Sequence, residues 1–209
     1  MEPILRFYTE KECEEWLSER QRQKPDAASG GHVRIDYPPE PYRIFFLAHW
    51  IAVALTYGMP ALLWITEWGI WPSSENWHLY YKLRQTSSDP RLLQEAPGHL
   101  FLEHEVEDLA SFLQISMLNG WGGYVLTQAD YVNAFFSNNE YIDFFAKHDA
   151  NLRPVREMLE TQFPDGLAKS FHEKAGNSQV VLFFTYRESL PLSQAASDAI
   201  LPSALFCER

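Results

Sequence analysis

The sequence has few of the features that mark well-known functional sites. Its two cysteines, Cys13 and Cys207, lie near opposite ends of the 209 residues, so they indicate neither a disulfide framework nor a zinc motif. The densest glycine cluster, residues 120–123, follows a predicted helix, whereas a phosphate-binding loop precedes one. No GxSxG nucleophile elbow occurs. We therefore predict no catalytic residue of a recognised class and no cofactor.

Metal-ligand residue types concentrate at one place only, from His99 to Glu107. The two histidines there, His99 and His104, are five residues apart across a predicted strand-to-helix junction. A zincin motif instead places two histidines one helical turn apart, so that both reach the same ion. We therefore predict no metal site.

Positive charge is missing from a long internal segment. The 55 residues from 92 to 146 contain no Lys or Arg and eight carboxylates, in a chain with 28 acidic and 17 basic residues and a net charge of −11. The basic residues elsewhere are scattered. A phosphate backbone requires clustered Lys and Arg, so nucleic-acid binding is disfavoured.

Membrane and export signals are also weak. The N-terminus has no basic region followed by an apolar run, which disfavours a secretory signal. The longest apolar run, residues 44–65, is about as long as a bilayer-spanning helix, but Gly58 and Pro60 interrupt it. We interpret it as a buried helix followed by a strand, and we predict a soluble, cytoplasmic protein without a membrane span.

Hydrophobic periodicity and capping signals predict an α+β (or α/β) fold. We expect a single domain over residues 1–186, with a central mixed sheet of four or five strands flanked by helices, and a partly ordered tail over 187–209. Two capping boxes, beginning at Thr9 and Ser137, predict helix starts. The predicted helices are 10–24, 42–57, 75–85, 103–119, 141–145 and 152–162. The predicted strands are 32–37, 61–71, 99–102, 122–127, 132–136 and 180–186.

The segment without basic residues supplies the main functional hypothesis. If Glu103, Glu107, Asp130 and Asp143 share one exposed face, that face would attract a basic partner. This arrangement predicts a non-catalytic, immunity- or antitoxin-like binding module for a basic protein. The competing interpretation is an acidic surface that only keeps the protein soluble, with several carboxylates placed at the positive end of a helix dipole.

A single carboxylate supports an alternative function. Glu67 lies among tryptophans, and a carboxylate buried beside Trp64 and Trp68 would need a partner or a raised pKa, as catalytic acids have. A hydrolase-like enzyme with Glu67 as general base is therefore the second hypothesis. The simpler explanation is an ion pair between Glu67 and Arg84 or Lys82, and we favour the absence of catalysis.

No family-specific motif occurs in the sequence. The acidic, Trp-rich composition resembles that of small bacterial proteins, a likeness that implies no site residues. The sequence leaves open whether the chain forms a homo-oligomer.

Overall fold

A mainly antiparallel sheet with helices on both faces forms the centre of the protein. The computed structural model describes residues 6–20, 24–25, 31–56, 58–68, 74–85, 89–128 and 131–162. For residues 74–78, 168–171 and 182–185 it describes the backbone alone. The predicted tail, residues 187–209, lies outside the described residues.

The described residues include nine strands: β1 Phe7–Tyr8, β2 Gly31–Asp36, β3 Ala61–Glu67, β4 Gly98–Phe101, β5 Gly122–Thr127, β6 Asn133–Phe136, β7 Tyr141–Ala146, β8 Ala168–Phe171 and β9 Leu182–Thr185. They form one sheet in the order β1-β4-β3-β5-β6-β7-β2-β9-β8. The seven strands from β1 to β2 pair antiparallel throughout, whereas β9 runs parallel to β2. This arrangement confirms an α+β fold, but the predicted four or five strands are too few.

Five α-helices lie within the described residues. They are α1 Glu10–Glu19, α2 Pro41–Thr56, α3 Ser74–Gln85, α4 Val106–Leu118 and α5 Arg153–Gln162, and a short 3-10 helix spans Asp149–Leu152. The capping box at Thr9 is confirmed, because its hydroxyl accepts from the Glu12 amide while the Glu12 carboxylate accepts from the Thr9 amide at 2.7 Å. In the part of the chain that is described, no helix is long and apolar enough to cross a membrane.

The strand residues alternate between two cores. On one face, Leu63 and Ile65 of β3 join the large core that α2 and α4 cover. On the other face, Leu62 and Trp64 join a smaller core with Cys13 of α1. This alternation follows from the two-residue period of a strand, and it makes both faces of β3 apolar as predicted.

Residues 141–145 form a strand, so the predicted helix there is wrong. The motif that suggested a capping box, residues 137–140, is a tight turn between β6 and β7. The Ser137 amide donates to the Tyr141 carbonyl at 2.9 Å, and Glu140 has a φ of 61°. Ile142 and Phe144 alternate with the more polar Tyr141 and Asp143, as expected of a strand, and this strand pairs with β6 on one side and β2 on the other.

Candidate functional site

The outer side of α2 is unusually apolar for a helix at the surface. Tyr42, Phe45 and Val53 are 67%, 53% and 48% exposed, and His49 lies between them at helical spacing. The Phe45 and His49 rings stack with centroids 6.3 Å apart. Surface helices normally present polar residues to water, and Arg43 is the single charged side chain among the 16 residues of this helix.

The start of α4 brings a carboxylate to this apolar stripe. The Glu107 carboxylate lies 3.5 Å from Nδ1 of His49, which joins the first turn of α4 to the middle of α2. Asp108 in the same turn and Glu103 just before the helix are also exposed. In the described part of the chain, none of these three carboxylates pairs with a lysine or arginine. We call this set the acidic–aromatic surface; it consists of Tyr42, Phe45, His49, Val53, Glu103, Glu107 and Asp108.

The predicted acidic face is therefore smaller than expected. Glu103 and Glu107 lie on the acidic–aromatic surface, and Asp130 lies outside the described residues. Asp143 is buried, with 4% of its surface exposed, so it cannot share that face. Glu105 turns inward as well, where its two oxygens accept from Arg6 at 2.7 and 2.8 Å.

Asp143 belongs instead to a buried ionic cluster on the sheet. It lies opposite Arg34 across the β2–β7 pair and accepts from Nε and Nη2 of Arg34 at 2.6 and 2.7 Å. Nε2 of His32, two residues before Arg34 on the same face, lies 2.7 Å from the same carboxylate. Burial raises the pKa of Asp143, but the hydrogen bonds from Arg34 and His32 outweigh it and hold that pKa below its usual value. The carboxylate is therefore ionised, and its hydrogen-bond partners are Arg34 and His32 within the fold.

Glu67 lies at an irregularity of the sheet. The pairing of β3 with β5 shifts between Ile65 and Glu67, and the Glu67 carboxylate accepts from the Asn138 amide at 3.2 Å. A methyl group added at Gly122 would clash with the Glu67 side chain, so glycine leaves room for that side chain. Through this hydrogen bond Glu67 connects the β6–β7 turn to the end of β3.

The predicted tryptophan pocket around Glu67 does not assemble. Trp64 is buried in the smaller core, whereas Trp68 packs against Trp121 of the large core with ring centroids 4.9 Å apart. The bulge in β3 separates the two tryptophans because it changes the face toward which successive residues point. The expected Arg84 partner is also elsewhere, since its guanidinium lies over the Phe7 ring.

The residues that the sequence analysis missed are those of the α2 stripe. Their signal was present: a 16-residue helix with a single charged side chain is apolar all round, and one side of it must face something other than the core. Among the residues that the structure describes, no three His, Cys, Asp or Glu side chains are placed to hold a metal ion.

Comparison of the chain with protein-family models, with curated proteins and with solved structures finds no match. The site therefore has to be interpreted from its own geometry.

Proposed function

We propose that this protein is a non-catalytic binding module whose acidic–aromatic surface covers a basic site on another protein. The proposal rests on one observation: the exposed stripe of Tyr42, Phe45 and Val53 contains His49, and the exposed Glu107 carboxylate lies 3.5 Å from that histidine. Exposed aromatic residues are the usual anchors of protein interfaces, and the surrounding charges select the partner. A role of the immunity or antitoxin type, in which a cationic site is covered, fits this chemistry.

Charge favours a basic partner over a second copy of the chain. The acidic–aromatic surface would repel itself, because both copies would present Glu103, Glu107 and Asp108 to each other. A basic surface would gain long-range attraction as well as aromatic contacts. Association should therefore be fast at low ionic strength and slow markedly when salt screens the carboxylates.

The experiment compares capture of partners by the wild type and by three variants. The double variant Glu103→Lys with Glu107→Lys reverses two negative charges of the acidic–aromatic surface, and we call it the border variant. Phe45→Ser removes an exposed aromatic side chain of the same surface. The matched control, Glu14→Lys with Glu160→Lys, makes the same change in net charge at exposed positions of α1 and α5. Captured proteins are identified by mass spectrometry, and the binding constant is then measured with the purified pair at low and high salt.

We expect one basic protein to be retained by the control and lost by the border variant. Loss of an aromatic anchor costs about 2 kcal/mol or more, so Phe45→Ser should weaken the purified complex roughly 30-fold. Capture of the same proteins by all four chains would contradict the proposal. Self-association of the wild type that Phe45→Ser abolishes would instead identify a second copy of the chain as the occupant.

A further inference from the structure

Arg84 is a buried cation in the last turn of α3. Only 2% of its surface is exposed, and its guanidinium carbon lies 4.3 Å from the centroid of the Phe7 ring. Its Nε and Nη2 atoms have no hydrogen-bond partner in the described part of the chain. These two nitrogens form one edge of the guanidinium, the edge that binds a carboxylate or phosphate with two parallel hydrogen bonds.

Two other arginines in this protein show how the same edge is normally satisfied. Arg34 donates from Nε and Nη2 to Asp143 at 2.6 and 2.7 Å, and Arg91 donates from the same atoms to Asp89 at 3.1 and 2.6 Å. Both side chains are about one-third exposed, whereas Arg84 is almost fully buried. Arg84 is therefore the most buried of the three guanidiniums, and it is the one whose Nε–Nη2 edge has no hydrogen-bonded carboxylate among the described residues. Such a charge is costly unless an anion accompanies it.

The one described carboxylate that acts on Arg84 electrostatically, Asp89, is bound to another arginine. It accepts hydrogen bonds from Nε and Nη2 of Arg91. No carboxylate of the described residues is hydrogen-bonded to the Nε–Nη2 edge of Arg84.

His99 adds a second unsatisfied group to the same place. Its ring packs 4.5 Å from Phe7 and 3.9 Å from Phe101, measured between centroids, and neither ring nitrogen has a partner in the described part of the chain. Burial lowers the pKa of His99 well below its usual value, and the charges of Arg84 and Arg6 lower it further. The neutral ring therefore keeps one N–H that can donate a hydrogen bond.

We propose that the Nε–Nη2 edge of Arg84 binds a small oxyanion, with the N–H of His99 as an additional donor beside it. Carboxylate and phosphate groups share the required chemistry, since each offers two oxygens to a guanidinium edge. The burial of Arg84 selects a small anion or the terminal group of a larger molecule. This site is separate from the acidic–aromatic surface and does not depend on it.

The first test is the thermal stability of the protein in chloride buffer, compared with inorganic phosphate or acetate at the same ionic strength. At a concentration roughly 100-fold above the dissociation constant, the bound anion should raise Tm by about 5–10 °C. Arg84→Met should abolish this rise, whereas Arg153→Met, which removes an exposed charge on α5, should preserve it. A larger rise with phosphate than with acetate identifies a phosphate-type ligand, and the reverse order identifies a carboxylate.

The second test needs no folded variant. In a phosphate or acetate titration of the wild type, followed by proton–nitrogen NMR of the arginine Nε–H groups, the Arg84 signal should shift and saturate. The Arg34 and Arg91 signals should stay in place, because their edges already hold carboxylates. Equal rises in Tm for wild type and Arg84→Met, or an Arg84 signal that neither anion moves, would overturn the proposal.

Discussion

Replacement of Asp143 by asparagine should destabilise the protein strongly. The Asp143 carboxylate is 4% exposed and accepts from Arg34 at 2.6 and 2.7 Å, with His32 at 2.7 Å. Asparagine keeps the shape but removes the negative charge that faces Arg34 and His32. Loss of one partner of a fully buried ion pair costs about 3–5 kcal/mol. Because Arg34 is 31% exposed, water screens the remaining cation, and we expect a loss of about 2–3 kcal/mol. In a chain of this size that corresponds to a fall in Tm of roughly 4–12 °C.

The same variant should change the acid limb of the stability profile. The pKa of Asp143 is lower in the folded protein than in the unfolded chain, because hydrogen bonds from Arg34 and His32 outweigh the effect of burial. The unfolded chain therefore takes up this proton first as the pH falls. The contribution of Asp143 is complete above a pH of about 4 and is lost as the pH drops through the folded pKa. Asp143→Asn should thus lose less of its remaining stability below that pH than the wild type loses.

Urea unfolding at neutral pH and near pH 3 measures both effects. Asp108→Asn is the matched control, since Asp108 is exposed in the first turn of α4 and should contribute only about 0.3–1 kcal/mol through the helix dipole. A double variant, Arg34→Met with Asp143→Leu, should be more stable than Asp143→Asn because it removes both charges of the pair. A loss below about 1 kcal/mol in Asp143→Asn, or an unchanged acid limb, would refute the reasoning.

Three further substitutions test other parts of the fold. Thr9→Ala removes the capping box of α1 and should cost about 1 kcal/mol in urea unfolding; an unchanged midpoint would contradict it. Gly123→Ala places a methyl group against the Trp64 carbonyl oxygen of the neighbouring strand, so it should cost about 3 kcal/mol or prevent folding; wild-type stability would contradict this expectation. Burial raises the pKa of the Cys13 thiol to about 12, so iodoacetamide should label Cys13 only after the protein unfolds. Mass spectrometry of a Cys207→Ser variant, which carries Cys13 alone, measures this labelling.

Local signals in the sequence predict the helix and strand boundaries correctly where they agree with the tertiary contacts. The hydroxyl of Thr9 and the carboxylate of Glu12 cap α1 as their spacing predicts. The apolar run that contains α2 and β3 was divided correctly, because Gly58 and Pro60 interrupt it where the chain turns. In these places each residue's own conformational preference decides the structure.

The motif at residues 137–140 shows why other parts could not be predicted. Its serine and glutamate match a helix start, yet β7 follows, because β6 and β2 offer hydrogen-bonding edges on both sides. Partner β2 is more than a hundred residues away in the sequence, as the Arg34–Asp143 pair illustrates. Pairing over such a distance leaves no local trace, and tertiary contacts then override the local preference.

The distribution of charge follows the same logic. The segment from 92 to 146 lacks basic residues, but bases from outside it reach two of its carboxylates: Arg6 binds Glu105 and Arg34 binds Asp143, 99 and 109 residues away. Charge that is local in sequence is thus partly dispersed in space. Of the segment's described carboxylates that remain exposed, Glu103, Glu107 and Asp108 lie at or just before the start of α4, and Glu107 contacts His49 of the aromatic stripe on α2. An acidic surface that served solubility alone would not need exposed aromatic side chains next to it, because such side chains lower solubility. The pairing of the two features therefore favours a binding surface.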